Sequence, residues 1–439
     1  MKKALSILVS ASLGGLSLPV MAENLADVYN QAKNSDPTLL RSAAQRDAAF
    51  ESVTSSRSTL LPQINLTAGY NVGESYTGAE TNAFTAGIGL SQELYQRSSW
   101  VTLETAEKNA RQSDSAYAAQ QQDLILRVAT AYFEVLRAQD SLEFVQAEKS
   151  AVERQLDQEK QRFEVGLSAI TNVHEAQAEY DSVLAEEVIA RNNLVNSYET
   201  LREITGIGHK NLDILDIERF SASKSDKSTD ALVEQAQLQN LSLLAARISQ
   251  DIARDDIRLA SSGHLPSLTF NADAGYANGE ISGAPDLNDT NYNLGINLSV
   301  PLYTGGSVTS QVKQAEYNYV AVSEDLEASY RSVVKTVRAS NNNIDATIGS
   351  IRAFEQSLIS AESALAAVET GYEVGSRTIV DVLDFTRRVF EAQRNLSDAR
   401  YNYIISVLQL KQAVGTLNEQ DILEINNGLI ASKKDPLAS

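Results

Sequence analysis

The sequence predicts a mainly α-helical chain with some β structure, in which very long coiled-coil helices carry strands of a membrane barrel. Three observations predict it: an internal twofold repeat, a long stretch without helix breakers in each copy, and segments of about ten residues with alternating hydrophobicity.

The chain of 439 residues opens with Lys2 and Lys3, an apolar run from Ala4 to Leu18, Pro19 and the small-residue site Val20-Met21-Ala22. That is the three-part pattern of a secretory signal peptide over 1–22, too short to span a bilayer. The net charge of −20 becomes more negative once the two lysines are removed. An acidic surface repels nucleic acid phosphates and offers anionic lipid no basic patch. No cysteine is present, so disulfides and thiol chemistry are excluded. After the leader no apolar run reaches the length of a helical span, and membrane insertion would have to use strands.

Phe163-Glu164-Val165-Gly166 recurs at an offset of 209 as Tyr372-Glu373-Val374-Gly375, and the same offset carries Ala190-Arg191 onto Ala399-Arg400 and Gly206 onto Gly415. Leu61-Pro62 pairs with Leu265-Pro266 at 204, and Leu94-Tyr95 with Leu302-Tyr303 at 208. The slippage falls in the polar segments 71–83 and 277–291, which read as loops between strands. The chain therefore divides into a first repeat over 23–229 and a second over 230–439. Each reads helix, strand, loop, strand, very long helix, tight turn, helix.

No glycine lies between Gly89 and Gly166 and no proline between Pro62 and Pro266, so one helix is expected from roughly Ser98 to Phe163. At 1.5 Å per residue it would be on the order of 100 Å long. Within it Leu124, Val128, Ala131, Val135, Ala138, Leu142, Val145, Val152 and Leu156 step by four and three as a heptad seam. Val333, Val337, Ile344, Ile351, Phe354, Leu358, Ala361, Leu365, Val368 and Tyr372 keep the same phase in the second copy. An ordinary helical bundle explains the seam but not the length.

In 84–94 the even positions are Phe84, Ala86, Ile88, Leu90, Gln92 and Leu94, and in 292–302 they are Tyr292, Leu294, Ile296, Leu298, Val300 and Leu302. Ile64 to Tyr70 and Leu268 to Tyr276 repeat the pattern. A soluble half-buried sheet would also alternate, but terminal aromatics such as Tyr70, Phe84, Tyr95, Trp100, Tyr276, Tyr292 and Tyr303 suit a lipid-facing girdle. Four strands cannot close a barrel, so other copies must pair the edges. Three copies give twelve strands; a dimer is possible by count, with a bore filled by side chains.

The mature sequence as a whole resembles the outer membrane factor family of efflux and secretion channels. The resemblance rests on Ala48-Ala49-Phe50, Leu60-Leu61-Pro62-Gln63, Ala129 to Phe133, Arg154 to Gln158, Asn240 to Leu244, Ser310 to Ala315, Arg377 to Asp384 and Gly415 to Asp421. It implies a homotrimer in the outer membrane of a Gram-negative bacterium. The expected architecture is a twelve-stranded transmembrane barrel on an α-barrel tunnel that projects into the periplasm, with equatorial segments near 206–230 and 415–439. It further implies an exit duct for drugs and for type I protein secretion. The partners would be a periplasmic adaptor (a membrane fusion protein) and an inner-membrane efflux pump or ABC transporter, with lipid but no nucleic acid. No enzymatic activity, cofactor or metal is expected.

Alone, the turns Val165-Gly166-Leu167 and Val374-Gly375-Ser376 read as helix stops; the resemblance makes them adaptor-docking turns, with Ser376 where the family commonly has Thr. Asp381 and Asp384 share a helical face. Thr378 with Asp381 also reads as a capping box, whereas the resemblance implies a ring of carboxylates that selects cations. Tyr372 and Arg377 match the family's periplasmic gate, with Gln155 and Glu369 as partners, while Asn172 stands where an aspartate is expected to meet Arg377. His174, His209 and His264 are too scattered to suggest a metal site, and no phosphate loop or nucleophile with a base is visible. A periplasmic adaptor is the rival reading, but it would have one coiled-coil hairpin and a lipoyl-like β domain. A nutrient porin would need more strands per chain and no long helices.

Overall fold

The computed structural model describes residues 23–74, 80–281 and 287–431; the leader expected over 1–22 lies outside them. The first repeat runs α1 (Leu25–Ser35), α2 (Pro37–Ser58), β1 (Gln63–Glu74), β2 (Glu80–Gln96), α3 (Arg97–Glu164), α4 (Ile170–Thr205) and a short β3 (Ile214–Leu215). The second repeats it as α5 (Thr229–Gln239), α6 (Leu241–Ser261), β4 (Ser267–Ile281), β5 (Leu287–Ser299), α7 (Ser307–Glu373), α8 (Ile379–Val414), α9 (Glu419–Asn426) and β6 (Leu429–Ile430). A single 3-10 turn, Ser262–His264, leads into β4.

The two long helices have 68 and 67 residues, each about 100 Å from end to end. Half-length helices pack along them: α2 and α4 on α3, α6 and α8 on α7. The predicted seam is the core of this arrangement, with Leu124, Val128, Val135, Leu142, Val145, Val152 and Leu156 buried on α3 and Val337, Ile344, Ile351 and Val368 on α7. Lys149, the residue that interrupts the seam on α3, reaches out to Glu187 of α4 at 2.6 Å.

The four long strands form one antiparallel sheet in the order β1-β2-β4-β5, leaving β1 and β5 as edges within the protomer. Registers place Ile64 beside Leu90, Leu90 beside Ala272 and Ala272 beside Leu294; the next rung joins Leu66, Ile88, Ala274 and Tyr292. The intervening rungs are Asn65, Gly89, Asp273 and Asn293, then Thr67, Gly87, Gly275 and Asn291. Because side chains alternate across a strand, one face of the sheet is apolar and the other polar and glycine-rich. The apolar face is bare, with Leu66 81% and Tyr292 85% exposed. Glycine is needed on the polar face at Gly279, where a Cβ would lie 2.2 Å from the Asn82 carbonyl oxygen.

Two expectations for the strands are corrected. The polar segments 71–83 and 277–291 are mostly strand, since β1 reaches Glu74, β2 starts at Glu80, β4 reaches Ile281 and β5 starts at Leu287. A ladder is held by backbone bonds, so polar side chains do not end it once no bilayer has to be matched. β5 also stops at Ser299, leaving Val300 and Leu302 exposed beyond it, and a bulge at Glu93/Tyr95 breaks the alternation of β2.

Midway along the helices β3 pairs with β6, and Glu23 bridges to Leu212. These contacts bring 206–230 and 415–430 to one level of the molecule. Gly206 and Gly415 end α4 and α8 at φ 74° and 87°, in the left-handed region.

Candidate functional site

The two hairpins α3/α4 and α7/α8 end in the same backbone device. Gly166 N donates to Phe163 O at 2.9 Å and Leu167 N to Arg162 O at 2.7 Å; Gly375 N donates to Tyr372 O at 3.0 Å and Ser376 N to Gly371 O at 2.8 Å. Both pairs are Schellman motifs, which require a residue of positive φ after the helix; Gly166 has φ 76° and Gly375 φ 77°. The turns project apolar side chains into solvent, with Leu167 72% and Val374 75% exposed. At the second turn Gly371 also permits a close return, since a Cβ there would meet Arg377 Cγ at 2.8 Å.

The first residues of the returning helices differ. Thr378 and Asp381 form a capping box on α8, with Asp381 Oδ2 accepting from Thr378 N at 2.9 Å. These bonds to the Thr378 amide and hydroxyl hold the Asp381 carboxyl below its ordinary range. Asp384 accepts from Arg387 at 2.6 Å and Arg388 at 2.8 Å. In the first repeat the corresponding Ala169 cannot cap α4, and Asn172 instead donates to Ser168 Oγ at 3.0 Å.

Ser168 leads to a residue absent from the sequence-based site. Its hydroxyl donates to Glu159 Oε2 at 2.6 Å, while Glu159 Oε1 accepts from the Tyr372 phenol. Glu159 is 0% exposed, and the Arg162 guanidinium lies over the Tyr372 ring at 4.9 Å. Burial, then the Glu159 carboxylate, pushes the Tyr372 phenol up to about 12, so it stays a donor at neutral pH. Glu159 follows Leu156 by three in the heptad phase and so occupies a core slot. A carboxylate in an apolar seam was the signal that could have found it.

Gln155 Nε2 donates to Thr386 of α8 at 3.1 Å, and its buried Oε1 has no partner. Farther from the tip Arg394 reaches buried Glu148 at 3.1 Å, and Tyr401 donates to Asp140 at 2.8 Å. Burial raises the carboxyl pKa of both acids. A ladder of polar bonds thus joins α3 to the second hairpin. Of the remaining predicted gate residues, Arg377 and Glu369 are exposed; neither side chain makes a hydrogen bond or ion pair with a described residue, and Asn172 does not meet Arg377 within the protomer. His174 is exposed, His209 contacts Glu23 and Thr205, and His264 sits in the turn before β4.

The family model described as outer membrane efflux protein matches residues 28–207 and 232–416, one segment in each repeat. The chain is 66% identical to outer membrane protein TolC of Vibrio cholerae serotype O1, over 99% of this chain and 100% of the relative. It is 50% identical to outer membrane protein TolC of Escherichia coli strain K12, over 98% and 90%. Alkaline protease secretion protein AprF of Pseudomonas aeruginosa is 27% identical over 96% and 90%. In fold the chain is similar to crystal structures of CusC, with TM-score 0.79, 17% identity and coverage of 89% of this chain and 92% of that one. The CmeC outer membrane channel of Campylobacter jejuni gives TM-score 0.76 at 18% identity, covering 93% and 90%. The chain belongs to the outer membrane efflux protein family, and it is one protomer of a trimeric exit channel for efflux and secretion, set in the outer membrane and projecting into the periplasm.

Proposed function

We propose that the hairpin tips close the periplasmic mouth of this channel and receive a periplasmic adaptor, which joins it to an inner-membrane efflux pump or ABC transporter. The observation that carries the reading is the pairing of two matched, exposed apolar turns, Val165–Leu167 and Val374–Ser376, with polar side chains left over beside them. Apolar knobs at the end of a coiled coil suit a partner hairpin. Arg377 and Glu369 are exposed and their side chains bond to no described residue, which supports a reading in which they bond across to neighbouring copies. On this reading the chain has no catalysis of its own, the first repeat spans 23–229 and the second 230–439, and energy comes from the pump.

Asp381 and Asp384 would ring the mouth with six carboxylates in a trimer and attract cations. A second reading is favoured by their present bonds: Asp381 caps α8 and Asp384 is held by Arg387 and Arg388. Single-channel recording separates the two. If the ring selects, large cations added on the periplasmic side block the pore and Asp381→Ala with Asp384→Ala abolishes the block; equal block in the double variant establishes the capping role alone. The gate is tested in the same bilayers by Tyr372→Phe with Arg377→Ser, which should raise the conductance of the closed channel; an unchanged conductance contradicts it.

A further inference from the structure

Across the tip the two repeats are not equivalent. Glu159 corresponds at the 209-residue offset to Val368 and Arg162 to Gly371. Val368 is an ordinary buried seam residue, 6% exposed, whereas Glu159 puts a carboxylate in the same slot with no exposure at all. A buried carboxylate persists only when its oxygens are bonded, and both are: one by Tyr372 from the end of α7, the other by Ser168 from the turn between α3 and α4. Glu159 thereby touches both hairpins, and the Tyr372 bond must break if α7 swings away from α3. Ser168 directly follows Leu167, the most exposed apolar residue of the first turn, so displacement of that turn acts on the same carboxylate.

We propose that Glu159 is the latch carboxylate of the periplasmic mouth, and that Ser168 couples the exposed turn Val165–Leu167 to it, so that a partner seated on the turn loosens Tyr372. This rests on the gate reading above. Asn172 serves the latch from behind, orienting the Ser168 hydroxyl through its side-chain amide. Arg162 covers the Tyr372 ring. The second turn lacks this wiring: Ser376 Oγ donates to Gly371 O at 3.0 Å, within its own hairpin. The two turns are therefore unequal: the first reaches the Glu159 carboxylate through a side chain, whereas the second is tied only to the backbone of Tyr372.

The test records closed-state conductance of the full-length trimer in planar bilayers for Glu159→Gln, Ser168→Ala, Tyr372→Phe and the two pairs of Glu159→Gln, one with Tyr372→Phe and one with Ser168→Ala. Expected are a several-fold rise for Glu159→Gln and for Tyr372→Phe, no further rise when these two are combined, and a smaller rise for Ser168→Ala that vanishes in the Glu159→Gln background. Wild-type conductance in Glu159→Gln, with a raised value in Tyr372→Phe, overturns the latch and leaves the gate standing. Wild-type conductance in all of these, and in Tyr372→Phe with Arg377→Ser, overturns both. Should Glu159→Gln fail to assemble, Ser168→Ala decides, because a hydroxyl deletion in the turn leaves the seam intact; a wild-type value there contradicts the coupling.

Discussion

Asp36 and Asn240, 204 residues apart, hold equivalent places: each ends one short helix and caps the next. Asp36 Oδ1 accepts from Leu39 N at 2.7 Å and Asn240 Oδ1 from Leu243 N at 3.0 Å. Their second bonds diverge with their chemistry. The carboxylate takes the Arg127 guanidinium, with both contacts at 3.0 Å, while the amide donates to Ala413 O at 2.8 Å. The repeat thus keeps its backbone plan and changes its polar partners.

Arg127→Met should leave Asp36, 2% exposed, as a buried charge without its cation. Breaking such a pair costs about 3 to 5 kcal/mol when both members are buried; with Arg127 partly solvated, about 2 kcal/mol is expected. Burial opposes ionisation of Asp36, but bonds from Arg127, Thr38 and the Leu39 amide outweigh it and hold its pKa below the ordinary 3.8. A lowered acid stabilises the native state above its ordinary pKa and loses that contribution as pH falls through the folded value. Denaturant midpoints of the two forms should therefore differ at pH 7 and converge below pH 3.8.

Gly415→Ala should destabilise more than Gly166→Ala, although both glycines have positive φ. The left-handed conformation costs an L residue roughly 1 to 2 kcal/mol at either site. At Gly415 a Cβ would also lie 2.3 Å from Gln239 O, whereas at Gly166 nothing lies within 4 Å. The clash should add about 1 to 3 kcal/mol. Thermal denaturation of the two variants, side by side, reads the difference; equal losses would mean that α5 shifts freely.

Leu294→Arg should impair membrane assembly and Asn293→Arg should not. The two are neighbours on β5 but point to opposite faces, one in the apolar rung with Ala272, the other beside Asp273. An arginine facing lipid near the midplane costs about 2 to 4 kcal/mol. Urea titration of refolding into bilayers would show a lowered midpoint for Leu294→Arg alone.

Arg387→Ala with Arg388→Ala should strengthen any cation block at the tip, because it frees Asp384 from two ion pairs. The concentration of a large cation giving half block should fall in single-channel recordings. An unchanged value would place Asp384 off the conduction path.

Much of the fold was legible because it is periodic. The seam of α3 and α7 and the alternation of the strands repeat often enough to survive Lys149 and the bulge near Glu93. The strand ends were not legible, since Asn, Thr and Gly read as loop while their backbones pair without regard to polarity. Nor was the pairing of Ile214–Leu215 with Leu429–Ile430, too short to have a period. At the site, the turns followed from Gly166 and Gly375, and the capping box from Thr378 and Asp381. Glu159 left one trace, a carboxylate in an apolar seam, but its partner Tyr372 and the Gln155–Thr386 bond are contacts between helices distant in sequence, and Ser168 reads as an ordinary turn residue.

The sheet offers a bare apolar face and ends, among the described residues, on β1 and β5, each with a strand neighbour on one side, an arrangement a bilayer cannot complete. Only other copies can supply the missing ladders, and three copies supply twelve strands. The native mass of the purified channel in detergent tests this most directly. The account predicts three protomers that resist dissociation; a monomer or a dimer would contradict it.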